Sequence, residues 1–208
     1  MMDTNAALAD WLDKGGRRIG QIVIAKKNDG WELRHADDAA REDLHLFTKS
    51  ADARPLANLD DAGAYRALKT APNLRHGWRL VLPDVASVRS ALDAFYPAMI
   101  GVQLARERGE LVPVNLRDTL ARQTGMYRVT QRLTDAEAQV LIARSCCSDG
   151  GCLKTILWRI SPELPVNSLP AEKFTARGGD EWPLLCHEAC NILVAAARKV
   201  VKGDTKEG

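Results

Sequence analysis

The sequence predicts an α+β chain in two parts: a small meander-and-helix unit over residues 1–83 and a mainly helical unit over 84–200, with a disordered tail at 201–208. Three observations predict it. Alternating apolar runs joined by tight-turn residues fall in the first part. After Pro83 the apolar residues recur at spacings of three and four, the helical period. All five cysteines lie in the last third, in two tight groups.

Thr4–Asp13 is expected to be helical, with Leu8, Trp11 and Leu12 on one face and Gly15-Gly16 ending it. Arg18–Lys27 reads as a strand, Asn28-Asp29-Gly30 as a turn and Trp31–His35 as the returning strand. Leu44–Thr48 and Trp78–Leu82 are further strands, with a helix over Asp60–Thr70 ended by Pro72. Asp84 can cap a helix carrying Val88, Leu92, Phe95 and Met99, which Pro97 kinks or restarts. Asn115 can cap a helix from Leu116 to Thr124, and Thr134-x-x-Glu137 is a capping box for a helix to about Arg144. Ser145–Gly151 reads as a loop, Leu153–Ile160 as a buried strand and residues 161–181 as mostly loop. Pro183 then precedes a helix to about Val200, with Cys186 and Cys190 on one face of its first turns.

Composition sets the function classes. Hydrophobic residues are 46% and charged residues 27% of 208, a balance that supports a packed core and excludes disorder. Basic and acidic side chains number 29 and 27, too even for the broad basic footprint of a duplex binder. The longest apolar run, Ile192–Ala197, is far short of a membrane span. Asp3, Asp10 and Asp13 stand where a secretory leader carries positive charge, so a cytoplasmic, reduced protein is expected.

An odd cysteine count in a reduced compartment argues against a disulfide framework. One group reads Cys147-x4-Cys152 (or Cys146-x5-Cys152), the other Cys186-x3-Cys190, which makes four thiolates and one spare. Four thiolates suit tetrahedral zinc or a 4Fe–4S cubane. Zinc pairs usually have two to four intervening residues, whereas a cubane spreads its irons and tolerates wider, less regular spacing such as Cys146-x5-Cys152; iron–sulfur is the expectation, with zinc as the alternative. Gly150 and Gly151 allow close backbone approach to sulfur.

The run Cys152-Leu153-Lys154-Thr155-Ile156-Leu157-Trp158, with Pro183-Leu184-Leu185-Cys186-His187-Glu188-Ala189-Cys190-Asn191 and Arg122-Gln123-Thr124-Gly125-Met126-Tyr127-Arg128-Val129-Thr130, resembles a 4Fe–4S cluster-binding domain. That domain is associated with CbiX-type sirohydrochlorin cobaltochelatases. The resemblance spans about Ala91–Lys199, and residues 1–83 resemble the small stabilising domain that precedes it. It implies cluster ligands Cys152, Cys186 and Cys190, joined by Cys147 or, alternatively, Cys146. It further implies a redox or tetrapyrrole-associated role, with a redox partner or a CbiX-type chelatase as partner. Lys154 replaces an expected arginine, losing the planar fork. The chain holds no chelatase domain, and its histidines (His35, His45, His76, His187) are scattered along the sequence, so no insertion site and no independent catalytic set is expected.

Arg117, Arg122, Arg128 and Arg132 form a basic segment that could contact an anion, an acidic partner or the cluster. The same stretch imitates a helix-turn-helix, which would make a redox-responsive DNA-binding protein; the capping box at Thr134 cuts the recognition helix short, so nucleic acid is not the expected partner. Trp158 and Trp182 are candidates for shielding a cluster from water or for ordinary core packing.

Overall fold

A computed structural model describes residues 3–58, 74–111, 116–146, 155–156, 179–186 and 191–203. The chain forms two compact units: Met1–Glu107 with Thr175–Leu184, and Arg108–Phe174 with Leu185–Gly208. The mixed sheet and helices bear out the α+β class.

The first unit is built on a six-stranded sheet. Helix α1 (Thr4–Asp13) is capped by Asp3, whose carboxylate accepts the Asn5 N–H at 3.1 Å, and buries the expected Leu8, Trp11 and Leu12. Strands β1 (Arg18–Ile19), β2 (Ile22–Lys27), β3 (Gly30–His35), β4 (His45–Phe47), β5 (Trp78–Leu82) and β7 (Glu181–Trp182) assemble in the order β4-β5-β3-β2-β1-β7. β1, β2, β3 and β5 pair antiparallel in that order, whereas β4 joins β5 and β7 joins β1 in parallel. Period-two alternation turns Ile22, Ile24, Leu33, Trp78, Leu80 and Leu82 into the core.

The single strand expected over Arg18–Lys27 is broken at Gly20. That glycine has φ of +55°, and a Cβ on it would lie 2.7 Å from the Tyr96 hydroxyl. The same hydroxyl accepts the Gln21 N–H at 2.9 Å, and its burial pushes the Tyr96 pKa up to about 12. At the next hairpin Gly30 has φ of +141°, and a Cβ there would meet the Leu82 carbonyl at 2.2 Å.

The unit does not end at residue 83. Helix α3 (Val85–Phe95), capped by Asp84 accepting the Ser87 N–H at 2.7 Å, buries Val88, Ala91, Leu92 and Phe95. Phe95 stacks on Trp78 of β5 with centroids 5.1 Å apart, which ties the helix to the sheet and moves the boundary past it. Pro97 stops α3; Ala98 turns at φ +60° and α4 (Met99–Glu107) restarts, as expected of a proline that cannot donate. Helix α2 (Ala53–Asn58) packs on α3, and α1 on α3 and α4. The helix expected over 60–70 lies outside the described residues. Residues 181–182, expected as loop, are strand β7: Trp182 is fully buried, edge-on to Trp11 at 5.4 Å.

The second unit comprises α5 (Leu116–Ala121), a 3-10 segment (Gly125–Arg132), α6 (Asp135–Cys146), the strand pair β6 (Thr155–Ile156) and β8 (Leu185–Cys186), and α7 (Asn191–Lys202). Its core gathers Leu116, Leu120, Leu133, Ala138, Leu141, Leu193, Val194 and Ala197. The capping box is present: the Glu137 carboxylate accepts from the Thr134 N–H at 2.8 Å and from its hydroxyl at 2.7 Å, while the Glu137 N–H donates to Thr134 Oγ1 at 3.2 Å. Helix α6 continues to Cys146, past the expected end near Arg144, and α7 runs to Lys202, so the expected tail boundary at 201 falls within a helix.

Two predictions follow from this packing. Leu193→Ala removes a side chain that is 1% exposed at the centre of the second core; it should lower unfolding stability by about 2–5 kcal/mol in chemical denaturation. The bonds from Thr134 hold the Glu137 carboxyl below its ordinary range. A depressed carboxyl stabilises the fold above its unfolded pKa of about 4.3 and loses that contribution as pH falls through the folded value. The melting temperature should therefore drop more on acidification in the wild type than in Glu137→Gln.

Candidate metal centre

All five cysteines belong to the second unit, on the segments bordering its strand pair. The pair is parallel, with Thr155 opposite Leu185 and Ile156 opposite Cys186. Parallel neighbours lie about 4.8 Å apart, so the backbone three residues after Cys152 is fixed beside the backbone that carries Cys186. Covalent reach limits Cys152 to about 11 Å from Thr155 along the chain.

Cys186 departs from the sequence expectation. It is not on a helix: it lies in β8, half-buried, with its side chain packed against the Leu193–Val194–Ala197 core. Helix α7 starts only at Asn191, so the i, i+4 placement of Cys186 and Cys190 on one helical face does not hold. The apolar run Leu184-Leu185-Cys186 is drawn into strand pairing instead, and Leu185 is 2% exposed. Cys190 immediately precedes α7, whose twelve residues present the positive end of their dipole at Asn191. Its own placement lies outside the described residues, as do those of Cys147 and Cys152. Cys146 is the last residue of α6, with helical backbone.

The donor chemistry fits a soft metal centre. Cys190, next in sequence to the helix N-terminus at Asn191, has a neighbour that favours thiolate. Thiolate ligands select iron–sulfur clusters, zinc or copper over hard cations.

Around this unit, Arg122 follows α5, and Arg128 and Arg132 sit on the 3-10 segment, all three exposed; Arg117 is carried by α5. The 3-10 segment that carries Arg128 and Arg132 packs against α5 and α7. It also answers the helix-turn-helix reading, because the stretch that would have to be a recognition helix is 3-10 from Gly125 to Arg132 and ends at Leu133. Trp158 lies outside the described residues, and Trp182 is accounted for by the core around Trp11.

Residues 108–199 match the 4Fe-4S iron-sulfur cluster binding domain, and residues 4–108 match the DR2241 stabilising domain. The chain belongs to this family. Its second unit is thus a 4Fe–4S cluster-binding domain preceded by a stabilising domain, and the family boundary at 108 coincides with the end of the first compact stretch at Glu107. Among solved structures the chain is similar to DR2241 from Deinococcus radiodurans, with 31% identity and a TM-score of 0.73. That protein is described as multi-domain, with structural similarity to chelatases and two additional novel domains. The alignment covers 97% of this chain but 42% of DR2241, so the chain spans less than half of that relative's length. No curated protein matches the chain. Among the described residues no helix is long and apolar enough to cross a membrane.

The histidines are not all scattered. His35 and His76, far apart in sequence, have ring centroids 4.0 Å apart. His35 ends β3 and His76 shortly precedes β5, its antiparallel neighbour, so the missing signal was the pairing of those two strands. His45 packs on Phe47 at 4.6 Å, and His187 lies outside the described residues.

The arrangement makes a prediction about ordering of the site. Leu185→Asp would place a charge at a buried position in the strand paired with β6. It should lower the yield of cluster-loaded protein several-fold while Leu46→Asp, on an exposed position of the first unit, should not; iron and sulfide content per chain is the measurement.

Proposed function

We propose that the 4Fe–4S cluster is held by Cys152, Cys186, Cys190 and Cys147, with Cys146 as the alternative fourth ligand, and that it serves a tetrapyrrole metal chelatase in trans as a one-electron redox element. The observation that carries this reading is the parallel pairing of Thr155–Ile156 with Leu185–Cys186 inside the cluster-binding domain. It ties the segment after the first cysteine group to the segment that opens the second.

The choice of a chelatase rests on DR2241. That relative is described as having structural similarity to chelatases, which supports a chelatase as the partner in this reading. Four thiolates around a 2+ cubane leave a net charge of about −2, which deepens on reduction. Arg122, Arg128 and Arg132 give the same unit an exposed cationic element for an acidic partner or for offsetting that charge. In this reading the chain acts by holding and passing an electron, in a reduced cytoplasm.

Anaerobic purification tests this directly. The protein should be brown, with broad visible absorbance that dithionite bleaches reversibly; a colourless protein with one zinc per chain sinks the reading. Cys190→Ser and Cys152→Ser should each abolish the chromophore, whereas only one of Cys146→Ser and Cys147→Ser should do so. Equal loss in both of the last two would refute the assignment of a spare cysteine.

A further inference from the structure

We propose that His35, Asp37 and His76, in the first unit, form a second metal site that takes a divalent transition cation such as zinc, independent of the cysteines. One ligand atom from each of the three lies within 4.8 Å of the others, on a site that is buried at His35 and open at Asp37 and His76.

The tautomer of His35 points the site. Its ring is 1% exposed, and its Nδ1 accepts the Asp37 N–H at 3.1 Å, which puts the lone pair on Nδ1 and the proton on Nε2. The Asp37 carboxylate lies 3.7 Å from that same Nδ1. Ligands about 2.0–2.2 Å from a zinc ion stand roughly 3.3–3.6 Å from one another in a tetrahedron, so this nitrogen–oxygen separation is already close to that around a shared ion, which would take the Nδ1 lone pair in place of the Asp37 N–H. Burial, and next the neighbouring His76, lower the His35 pKa, so the imidazole is neutral at neutral pH, the state that ligates.

His76 supplies the second imidazole. Its ring lies over His35 at 4.0 Å with a 48° tilt, and its side chain is 48% exposed, free to contract onto an ion. Behind it, Asp38 Oδ1 stands 4.0 Å from His76 Nδ1. Asp38 is itself pinned, its carboxylate accepting the Gly77 N–H at 2.6 Å and the Arg41 guanidinium at 3.1 Å. A buried carboxylate behind one ring nitrogen is the outer support that orients a ligating histidine. Arg18 is the opposing charge, acting on His35 against Asp37 and Asp38. Two imidazoles and one carboxylate favour zinc, cobalt or nickel over calcium or magnesium, and with Asp37 75% exposed the remaining coordination positions face water. The site is therefore suited to exchangeable binding rather than to a closed structural role.

The test is calorimetric titration of zinc into the full, cluster-loaded chain, with histidine ring NMR signals followed in parallel. One equivalent should bind, shifting His35 and His76 signals but not those of His45, and leaving the visible absorbance intact. His76→Ala and Asp37→Asn, both at exposed positions, should each loosen zinc roughly tenfold or more without changing iron content. The proposal is overturned if either variant binds zinc as tightly as the wild type. It is equally overturned if uptake proceeds only with bleaching of the chromophore, because the zinc then sits on thiolates.

Discussion

Parallel pairing of two short strands is the constraint on which the second unit depends. A parallel ladder cannot be closed by a tight turn: the chain must leave the end of one strand and return to the start of the other. Here residues 157–184 make that journey between β6 and β8. On the way back the chain contributes β7 to the sheet of the first unit, where Trp182 is locked against Trp11 and Trp11 Nε1 donates to the Gly179 carbonyl at 3.1 Å. Three residues beyond Trp182, Leu185 is buried in the second unit. The chain thus passes from the first unit to the second between Leu184 and Leu185.

Cys186 sits on a two-residue strand, which has too little hydrogen bonding to hold itself. Its placement relies on burial of Leu185 and on packing against the core that includes α7 within its own unit. Entropy lost in ordering a short strand is offset by contacts that lie on both sides of it in sequence.

Much of this was legible in the sequence where the determining chemistry is local. The cap at Asp84, the restart after Pro97 and the Thr134–Glu137 box follow from side chains within four residues of the backbone groups they satisfy. The Trp31–His35 and Trp78–Leu82 strands follow from alternation. What misled was non-local. Cys186 and Cys190 have helical spacing, yet the pairing of Leu185–Cys186 with residues thirty positions earlier in the chain overrode it. The boundary at 83 failed for the same reason, since only the stack of Phe95 on Trp78 shows which unit α3 serves. The place of Cys186 could not be read, because a two-residue strand leaves no periodic signature.

The electrostatics of the two candidate metal environments differ in a way that keeps them apart chemically. Near Asn191 a helix N-terminus offers positive potential to a thiolate, and exposed arginines border the same unit; such surroundings favour a soft, anionic ligand set. At His35 the ring is neutral and buried, backed by Asp37 and Asp38, which favours a borderline cation on nitrogen and oxygen. Zinc would have to displace iron from thiolates to enter the first environment, but only water and one amide hydrogen bond to enter the second. The two units thus present different donors, thiolate in the second and imidazole with carboxylate in the first, and iron–sulfur assembly draws only on the former.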